Sequence, residues 1–178
     1  GVDGEVVGIC TFLGGALVAD LLRQERWSRV LMLVRAPNVR AARQRVVESV
    51  RRFEVEPPLL DTIRDNQIIC GGIGDFPGHE DEPRLAGVSR VLNCAAVTSF
   101  GRHPKTWATN VDETVAFARK VARLPRLERF VHLSTALICG THPPLVVRED
   151  AFPGKRVQHL VPYTESKAEA ERILRKEM

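Results

Sequence analysis

The stretch that decides the fold is Val6-Val-Gly-Ile-Cys-Thr-Phe-Leu-Gly-Gly-Ala-Leu17, which predicts a short apolar strand, a tight glycine turn and the start of a helix. Such a turn directs backbone N–H groups and the positive end of a helix to one point, which suits a pyrophosphate. Gly8 and Gly14 match the outer glycines of G-x-x-G-x-x-G, but Thr11 stands where the middle glycine is expected. A β-carbon there crowds an approaching phosphate. The alternative is therefore a turn that only packs the helix on the strand.

Composition predicts one soluble domain with a real core, because 44% of the 178 residues are apolar and 27% are charged, with a net charge of +4. We expect no membrane span and no secretory leader, because no long apolar run occurs and no basic segment precedes one. The four cysteines are scattered and form no C-x-x-C. This pattern favours reduced thiols in a cytoplasmic protein and predicts no metal site.

Apolar patterns typical of strands and of helices alternate along the chain. Residues 1–5 are a poor start for a central strand, and Pro57-Pro58 is expected to end the second helix. After a first strand in the opening stretch, strands are predicted at 29–35, 67–70, 88–96 (with 91–96 as the strand proper) and 129–136, and helices at 14–26, 40–53, 107–124 and 163–178. The alternation predicts an α/β fold: a Rossmann-type doubly wound parallel sheet of about five strands with helices on both faces.

Arg35 closes the second predicted strand, at the edge of the sheet where ligands of such folds bind. An acidic residue here binds the ribose 2′-hydroxyl of NAD, whereas an arginine pairs with the 2′-phosphate of NADP. Arg40 and Arg43 lie nearby, and no Asp or Glu occurs between positions 28 and 44. We therefore expect NADP(H) as the cofactor. The alternative is a solvated arginine at the end of a strand.

Tyr163 is the only tyrosine, and Lys167 follows it by one helical turn, so both share one face of the last helix. A nearby ammonium favours the phenolate, which makes the tyrosine a usable proton donor or acceptor. Thr135 ends the fifth predicted strand, where its hydroxyl could bond a substrate carbonyl oxygen, and Ser134 is its rival on the opposite face. The alternatives are an ordinary surface lysine and a threonine that only favours a strand.

The order of these motifs resembles that of the extended short-chain dehydrogenases/reductases. Within them the chain is most similar to the thioester reductases: fatty acyl-CoA reductases, male-sterility-type NAD-binding domains, and the terminal reductase domains of carboxylic acid reductases and peptide synthetases. The residues that carry the resemblance are Gly8 and Gly14, Leu33-Val-Arg-Ala36, Gly74-Asp75, Asn93-Cys-Ala-Ala-Val97 with Phe100, Asn110-Val111, Phe130-Val-His-Leu-Ser-Thr-Ala136, Gly140, Tyr163 and Lys167.

The resemblance implies a role for each matched position. Tyr163 would donate the proton to the carbonyl oxygen, and Lys167 would hold the nicotinamide ribose and tune Tyr163. Thr135 would polarise the carbonyl, since it stands five residues before Gly140, and Asn110 would brace the site. The implied cofactor-binding residues are Gly8, Thr11, Phe12, Leu13, Gly14, Arg35, Asp75 at the adenine, Phe76, Ala95 and Ala96 at the ribose, Val97, Tyr163 and Lys167.

The resemblance also implies a reaction, in which hydride from NADPH reduces the thioester carbonyl of a small-molecule or carrier-bound acyl substrate to an aldehyde or alcohol. Family members continue past the tyrosine helix into a sixth strand and a substrate lobe. We therefore expect residues 1–178 to be an NADP(H)-binding domain without its substrate lobe, and the sequence leaves the oligomeric state open.

Two alternatives stay open at this stage, and a third is not expected. A nucleotide-sugar epimerase or dehydratase shares the fold but usually has an acidic residue near the position of Arg35 when it uses NAD. A non-catalytic dinucleotide-sensing or scaffold domain is favoured by Thr11. The arginine-rich segments 40–52 and 119–129 suggest nucleic acid, but their apolar residues recur at helical spacing, so we expect solvated helix faces and no nucleic-acid partner. His132 is expected to be a core histidine.

Overall fold

The strands form one parallel sheet. The computed structural model describes residues 4–8, 12–24, 26–142, 146–150, 152–153 and 157–178. The strands are β1 (Gly4–Gly8), β2 (Val30–Val34), β3 (Ile68–Cys70), β4 (Val88–Asn93) and β5 (Arg129–His132). They lie in the order β3-β2-β1-β4-β5, and every neighbouring pair is parallel. The order reverses at β1, which is the topology predicted for a doubly wound Rossmann-type sheet.

The helices are α1 (Phe12–Arg23), α2 (Val39–Arg51), α3 (Pro57–Leu60), α4 (Thr114–Val121) and α5 (Pro162–Glu177). The chain divides into two compact units. The sheet unit comprises Gly1–Ala95 and Phe117–Leu133, and the α5 unit comprises Ala96–Ala116 and Ser134–Met178. Among the described residues, no helix has the length and apolarity needed to cross a membrane.

Strand β2 explains why both faces of the sheet are covered. All five of its residues are buried, as expected for a strand between two helical layers. Val30, Met32 and Val34 pack in the cluster with α1 and α2. Leu31 and Leu33 pack in a second cluster, which includes the C-terminal half of α4. Because side chains alternate along a strand, one apolar run supplies both cores.

The ends of three strands differ from the prediction, since β4 ends at Asn93 rather than at residue 96. Strand β1 starts at Gly4, so residues 4 and 5 do belong to the central strand. Glu5 pairs with Val30 of β2, and the pairing with β4 has a register shift between Gly4 and Glu5. Strand β5 ends at His132 rather than at residue 136. Its last partner is Asn93, where β4 itself ends, so no neighbouring strand remains to pair with the following residues.

The proline pair does not end the second helix, contrary to the prediction. Helix α2 begins after Asn38, whose side chain accepts a hydrogen bond from the Ala41 N–H, and ends at Arg51. Glu54 then adopts a positive φ of 53°, which turns the chain out of the helix. Pro57-Pro58 instead begins α3, because proline suits a first helical turn that needs no N–H donor.

The predicted regular helix over 107–124 is also wrong in part. The chain is π-helical over Ala108–Glu113, and only then does α4 begin. The buried Thr114 hydroxyl donates to the carbonyl of Thr109, five residues earlier, at 3.0 Å. The two residues are five apart, which is also the spacing of the backbone hydrogen bonds in a π-helix. Single π-helical turns are frequent at functional sites. Asn110 lies inside this segment.

Candidate functional site

The predicted phosphate-binding turn lies between β1 and α1. Gly8 ends the strand and Phe12 begins the helix, whereas Thr11 lies outside the described residues. Phe12 and Leu13 are exposed in the first turn of α1, where helical N–H groups lack intrahelical acceptors. Gly14 is buried one residue further along. The exposed first turn is therefore accessible to a ligand, as the phosphate prediction requires.

Gly15 is a structural residue that the sequence reasoning did not separate from Gly14. A β-carbon on Gly15 would overlap the Ser49 hydroxyl and approach the Phe53 ring to 3.1 Å. The close approach of α1 to α2 therefore depends on Gly15. The signal in the sequence is the glycine pair itself, whose second member allows helix packing rather than phosphate binding.

Arg35 and Asp75 lie beside consecutive residues of the turn after β3. The exposed Arg35 guanidinium packs on Gly72, with its Nε 3.2 Å from the position a β-carbon on Gly72 would occupy. Asp75 is exposed, and its Cβ lies 3.6 Å from the corresponding position on Gly71, whose φ of 146° favours glycine. Arg45 donates to the Arg35 carbonyl at 2.6 Å. The carboxyl ends of β2 and β3 thus carry both residues predicted to bind the adenosine half of a cofactor.

Arg43 serves a different purpose from the one its proximity in sequence suggested. Its Nε donates to the Ile63 carbonyl at 2.9 Å and lies 4.0 Å from the Asp65 carboxylate. Arg40 and Arg43 both line a cleft between α2 and α3. Arg43 therefore holds the segment after α3 in place, and Arg35 is the arginine that stands at the strand end.

Phe76 belongs to the core rather than to a cofactor surface. It is fully buried, and its ring packs edge-on against Phe117 with centroids 4.7 Å apart. Its carbonyl accepts a hydrogen bond from the Lys120 ammonium at 2.6 Å. Phe76 was implied to contact the cofactor, but none of its atoms is exposed. Its neighbour Asp75 is the exposed member of the pair.

Ala95 follows β4 and is held there by an asparagine. The Ala95 N–H donates to Asn93 Oδ1 at 2.9 Å, and the Asn93 amide nitrogen lies 3.2 Å from His132 Nδ1. Because Oδ1 faces an N–H donor, the amide nitrogen faces the histidine, whose Nδ1 then accepts. His132 is half-buried with this partner rather than enclosed in the core. Ala95 itself is buried.

Tyr163 and Lys167 lie in the first turns of α5. Tyr163 is half-buried, and its ring meets the Phe100 ring edge-on at 5.7 Å. Lys167 is only 2% exposed. Lysine is almost never so buried unless polar partners meet its charge. The alternative of an ordinary surface lysine is therefore wrong.

Asn110 joins the chain after β4 to the first turn of α5. Its Oδ1 accepts from the Val97 N–H at 2.7 Å, and its Nδ2 donates to the Val97 carbonyl and to the Ser166 hydroxyl, both at 3.0 Å. Ser166 in turn donates to the Tyr163 carbonyl at 2.8 Å. We call these four residues the Asn110 network. It gives the bracing role implied for Asn110 a physical form, and the sequence reasoning missed Ser166.

Thr135 caps the turn that follows β5. Its hydroxyl accepts from the Leu137 N–H at 3.3 Å, at the start of a 3-10 turn over Ala136–Cys139. The hydroxyl proton is not used in that bond and can point to another acceptor. The Ser134 hydroxyl is buried and has no hydrogen-bond partner among the described residues. Ser134 and Thr135 both lie beyond the end of β5, so the alternation of side chains along a strand does not place them on opposite faces. Both hydroxyls stay candidates for the hydrogen bond to a substrate oxygen.

Gly140, which marked the position of Thr135 in the motif, is required by the fold. Its φ is 78°, and a β-carbon would overlap Val157 and lie 2.6 Å from the Gln158 carbonyl oxygen. The next residue, Thr141, donates its N–H to that same carbonyl at 3.0 Å. Residues 140–141 and 157–158 therefore lie so close together that only glycine fits at position 140.

The model of the male sterility protein family, an NAD-binding domain, matches residues 6–178. The chain belongs to this family. The predicted resemblance to male-sterility-type domains of the extended short-chain dehydrogenases/reductases is therefore confirmed. No curated protein matches the chain in sequence.

Solved structures share the fold over nearly the whole chain. The terminal R domain from the myxalamid PKS-NRPS biosynthetic pathway matches with a TM-score of 0.80 and 20% identity, over 99% of this chain and 45% of that one. The reductase domain of a nonribosomal peptide synthetase from Mycobacterium tuberculosis matches with a TM-score of 0.72 and 26% identity, over 98% and 44%. The UDP-glucuronic acid 4-epimerase from Bacillus cereus in complex with NAD matches with a TM-score of 0.65 and 19% identity, over 98% and 51%. The chain spans about half the length of these proteins.

Proposed function

We propose that this chain is the NADP(H)-binding domain of a short-chain dehydrogenase/reductase that reduces an acyl thioester or a related carbonyl. The observation that carries the proposal is the buried Lys167 one turn after Tyr163, in a helix whose first turn is bonded to Asn110. A buried lysine is costly, and a phenol beside an ammonium is a suitable proton donor to a carbonyl oxygen. Membership of a family of NAD-binding domains supports the same role.

The residues of the α5 unit would divide the chemistry among them. The cofactor, when bound, supplies the hydride. Tyr163 would donate a proton to the substrate oxygen, and the ammonium of Lys167 would stabilise the phenolate that remains and hold the nicotinamide ribose. The Thr135 hydroxyl would donate a hydrogen bond to the same oxygen as negative charge develops on it. Asn110 would keep Val97 and Tyr163 in place.

Arg35 supports NADP(H) over NAD(H) in this proposal. It is exposed at the end of β2, it packs on Gly72, and no acidic residue occurs between positions 28 and 44 to bind a ribose 2′-hydroxyl. A guanidinium can bind a 2′-phosphate through two parallel hydrogen bonds. Asp75, on the neighbouring turn, would contact the adenine.

The acyl group would be carried on a thiol, such as that of a carrier protein. This substrate class is suggested by the similarity to R domains, one of which was solved as a thiolation-reductase di-domain from an archaeal non-ribosomal peptide synthetase. An epimerase function is less well supported, because the epimerases match with 17–19% identity and TM-scores of 0.65–0.66, against 26% and 0.72 for the reductase domain from Mycobacterium tuberculosis. The cytoplasmic location remains a prediction.

The test is a titration of the purified chain with NADPH and with NADH, followed by tryptophan fluorescence and by the emission of the bound cofactor. We expect NADPH to bind more tightly than NADH. Addition of an acyl-CoA then measures turnover by the loss of NADPH absorbance. We expect this rate to be low, because the resemblance implies a substrate lobe outside residues 1–178, and the Tyr163→Phe variant should lower it further while it binds NADPH normally. Failure of the chain to bind NADPH at millimolar concentration would instead favour a scaffold without a cofactor.

A further inference from the structure

We propose that Ser166 is a positioning residue for the proposed reaction, one that holds the Tyr163 turn of α5 in register with the segment at Val97. The inference rests on the proposed function, because it assigns the proton donor to Tyr163. Nothing in the sequence motifs gave Ser166 a role. The role comes from its hydrogen bonds within the Asn110 network.

The hydrogen bonds of this network can run in only one direction. The Val97 N–H is a donor, so it fixes Oδ1 of Asn110 on its side and leaves Nδ2 to face the Val97 carbonyl and Ser166. An amide nitrogen only donates, so the Ser166 oxygen must accept. The serine proton is then committed to the Tyr163 carbonyl. The network therefore specifies one amide orientation and one hydroxyl orientation.

The network is buried, which makes each of its bonds consequential. Asn110 and Ser166 are both 0% exposed. Water cannot replace a lost partner at such a position, so an unpaired donor or acceptor forces the surroundings to adjust. Both hydrogens of the Asn110 amide are used, one toward Val97 and one toward Ser166. Loss of the serine hydroxyl therefore leaves one amide hydrogen unpaired and frees the Tyr163 turn from the segment at Val97.

The same helical turn provides a matched control. The Thr164 hydroxyl donates to the Val161 carbonyl, three residues earlier, at 3.1 Å, just as Ser166 donates to Tyr163. Thr164 is also buried, at 5% exposure. Its bond lies outside the series that links Val97 to Tyr163. Thr164→Val therefore removes a buried hydroxyl of the same kind from the same turn and leaves the network intact.

The experiment compares Ser166→Ala, Thr164→Val and Asn110→Ala with the wild-type chain by amide hydrogen exchange and by steady-state kinetics with NADPH and an acyl-CoA. In Ser166→Ala we expect exchange to rise at least threefold both in the first turn of α5 and in the segment at Val97. We expect kcat to fall about tenfold with the KM for NADPH changed less than twofold. Asn110→Ala should also raise the KM for NADPH, because it frees Val97. Thr164→Val should change neither the exchange at Val97 nor kcat.

The outcomes separate the inference from the proposed function. Suppose that the chain oxidises NADPH and that Ser166→Ala and Thr164→Val do not differ in exchange at Val97 or in kcat. This result overturns the positioning role of Ser166 and does not affect the proposed function. If the wild-type chain neither binds nor oxidises NADPH while Ser166→Ala still shows the expected rise in exchange, the proposed function is overturned, and the positioning role of Ser166 in the reaction is overturned with it. A kcat effect confined to Ser166→Ala and Asn110→Ala supports both.

Discussion

The two compact units present their candidate site residues in opposite ways. In the sheet unit, Arg35 and Asp75 stand in solvent at the ends of strands. In the α5 unit, Lys167, Asn110 and Ser166 are buried. Asn110 donates a hydrogen bond to Ser166. An exposed charge selects a ligand by attraction and contributes little to folding. A buried polar group must be satisfied by the fold, so its chemistry and the stability of the protein are coupled.

The largest effect on stability is expected at Gly140. Gly140→Ala requires a side chain at a φ of 78° and places its β-carbon against Val157 and the Gln158 carbonyl. We expect a loss of about 3–5 kcal/mol in the free energy of unfolding, measured by urea denaturation. Gly101→Ala is the control, since the nearest atom, the Ser99 hydroxyl, is 3.8 Å away. Equal stability of the two variants would mean that the segment after β5 is not tightly packed.

Lys167 and Arg35 provide the direct comparison of a buried with an exposed cation. Lys167→Ala should lower the free energy of unfolding by about 2–4 kcal/mol, because it leaves a cavity and unpaired polar partners. Arg35→Ala should change it by less than about 0.5 kcal/mol, as is usual for a surface position. Thermal unfolding of both variants without cofactor measures the difference. If Arg35→Ala proves as destabilising as Lys167→Ala, the contrast between the two units is wrong.

The sequence predicted best the elements whose cause is local. The apolar run of β2 was predicted at 29–35 and lies at Val30–Val34, and the last helix, predicted at 163–178, is Pro162–Glu177. Flanking arginines and helix-forming residues mark these boundaries in the sequence itself. The parallel topology followed from the alternation of such elements.

What the sequence did not reveal depends on contacts between distant residues or on single hydroxyl groups. The end of β5 is set by the end of β4, and the need for Gly140 is set by Val157. The π-helical segment is accompanied by a bond from the Thr114 hydroxyl to the carbonyl five residues earlier. Two further cases depend on tertiary contacts: burial shows that Phe76 belongs to the core, and hydrogen bonds show that Ser166 links Asn110 to Tyr163. No pattern of apolar residues contains this information.

A charge reversal at Arg35 should change cofactor selection without changing the fold. We expect Arg35→Glu to weaken NADPH binding about 10–100-fold while NADH binding stays within about threefold of wild type. The preference of the wild type should also shrink as salt is added, because the guanidinium is exposed. Cofactor titrations at two ionic strengths measure both effects. Arg43→Ala is the control, since Arg43 is bonded to Ile63 and should leave selectivity unchanged. A loss of NADPH preference in Arg43→Ala alone would transfer the selector role to Arg43.

The smallest effect is expected at an ion pair near β3. Arg84 donates through Nε to Glu82 at 2.7 Å and through Nη1 to the carbonyls of Asn66 and Ile68, so it holds the start of β3. The side-chain hydrogen bond from Arg84 lowers the pKa of Glu82 from its usual value of 4.5, against a smaller opposing effect of burial. Because the folded pKa is lowered, the stability from this pair is present above pH 4.5 and is lost as the pH falls through the folded value.

Glu82→Gln keeps the acceptor oxygen but removes the charge, so it isolates the electrostatic part of this pair. The Arg84 side chain is 36% exposed, and solvent screens the interaction. We therefore expect the variant to be less stable than wild type by less than about 1 kcal/mol at pH 7, with the gap closing in acid and in high salt. Urea denaturation at pH 7 and below pH 4 measures this gap. A stability difference of several kcal/mol between wild type and Glu82→Gln at pH 7 would contradict this comparison. It would show that the sheet unit also depends on a charge that must be paired within the fold, a property we assign to the α5 unit alone.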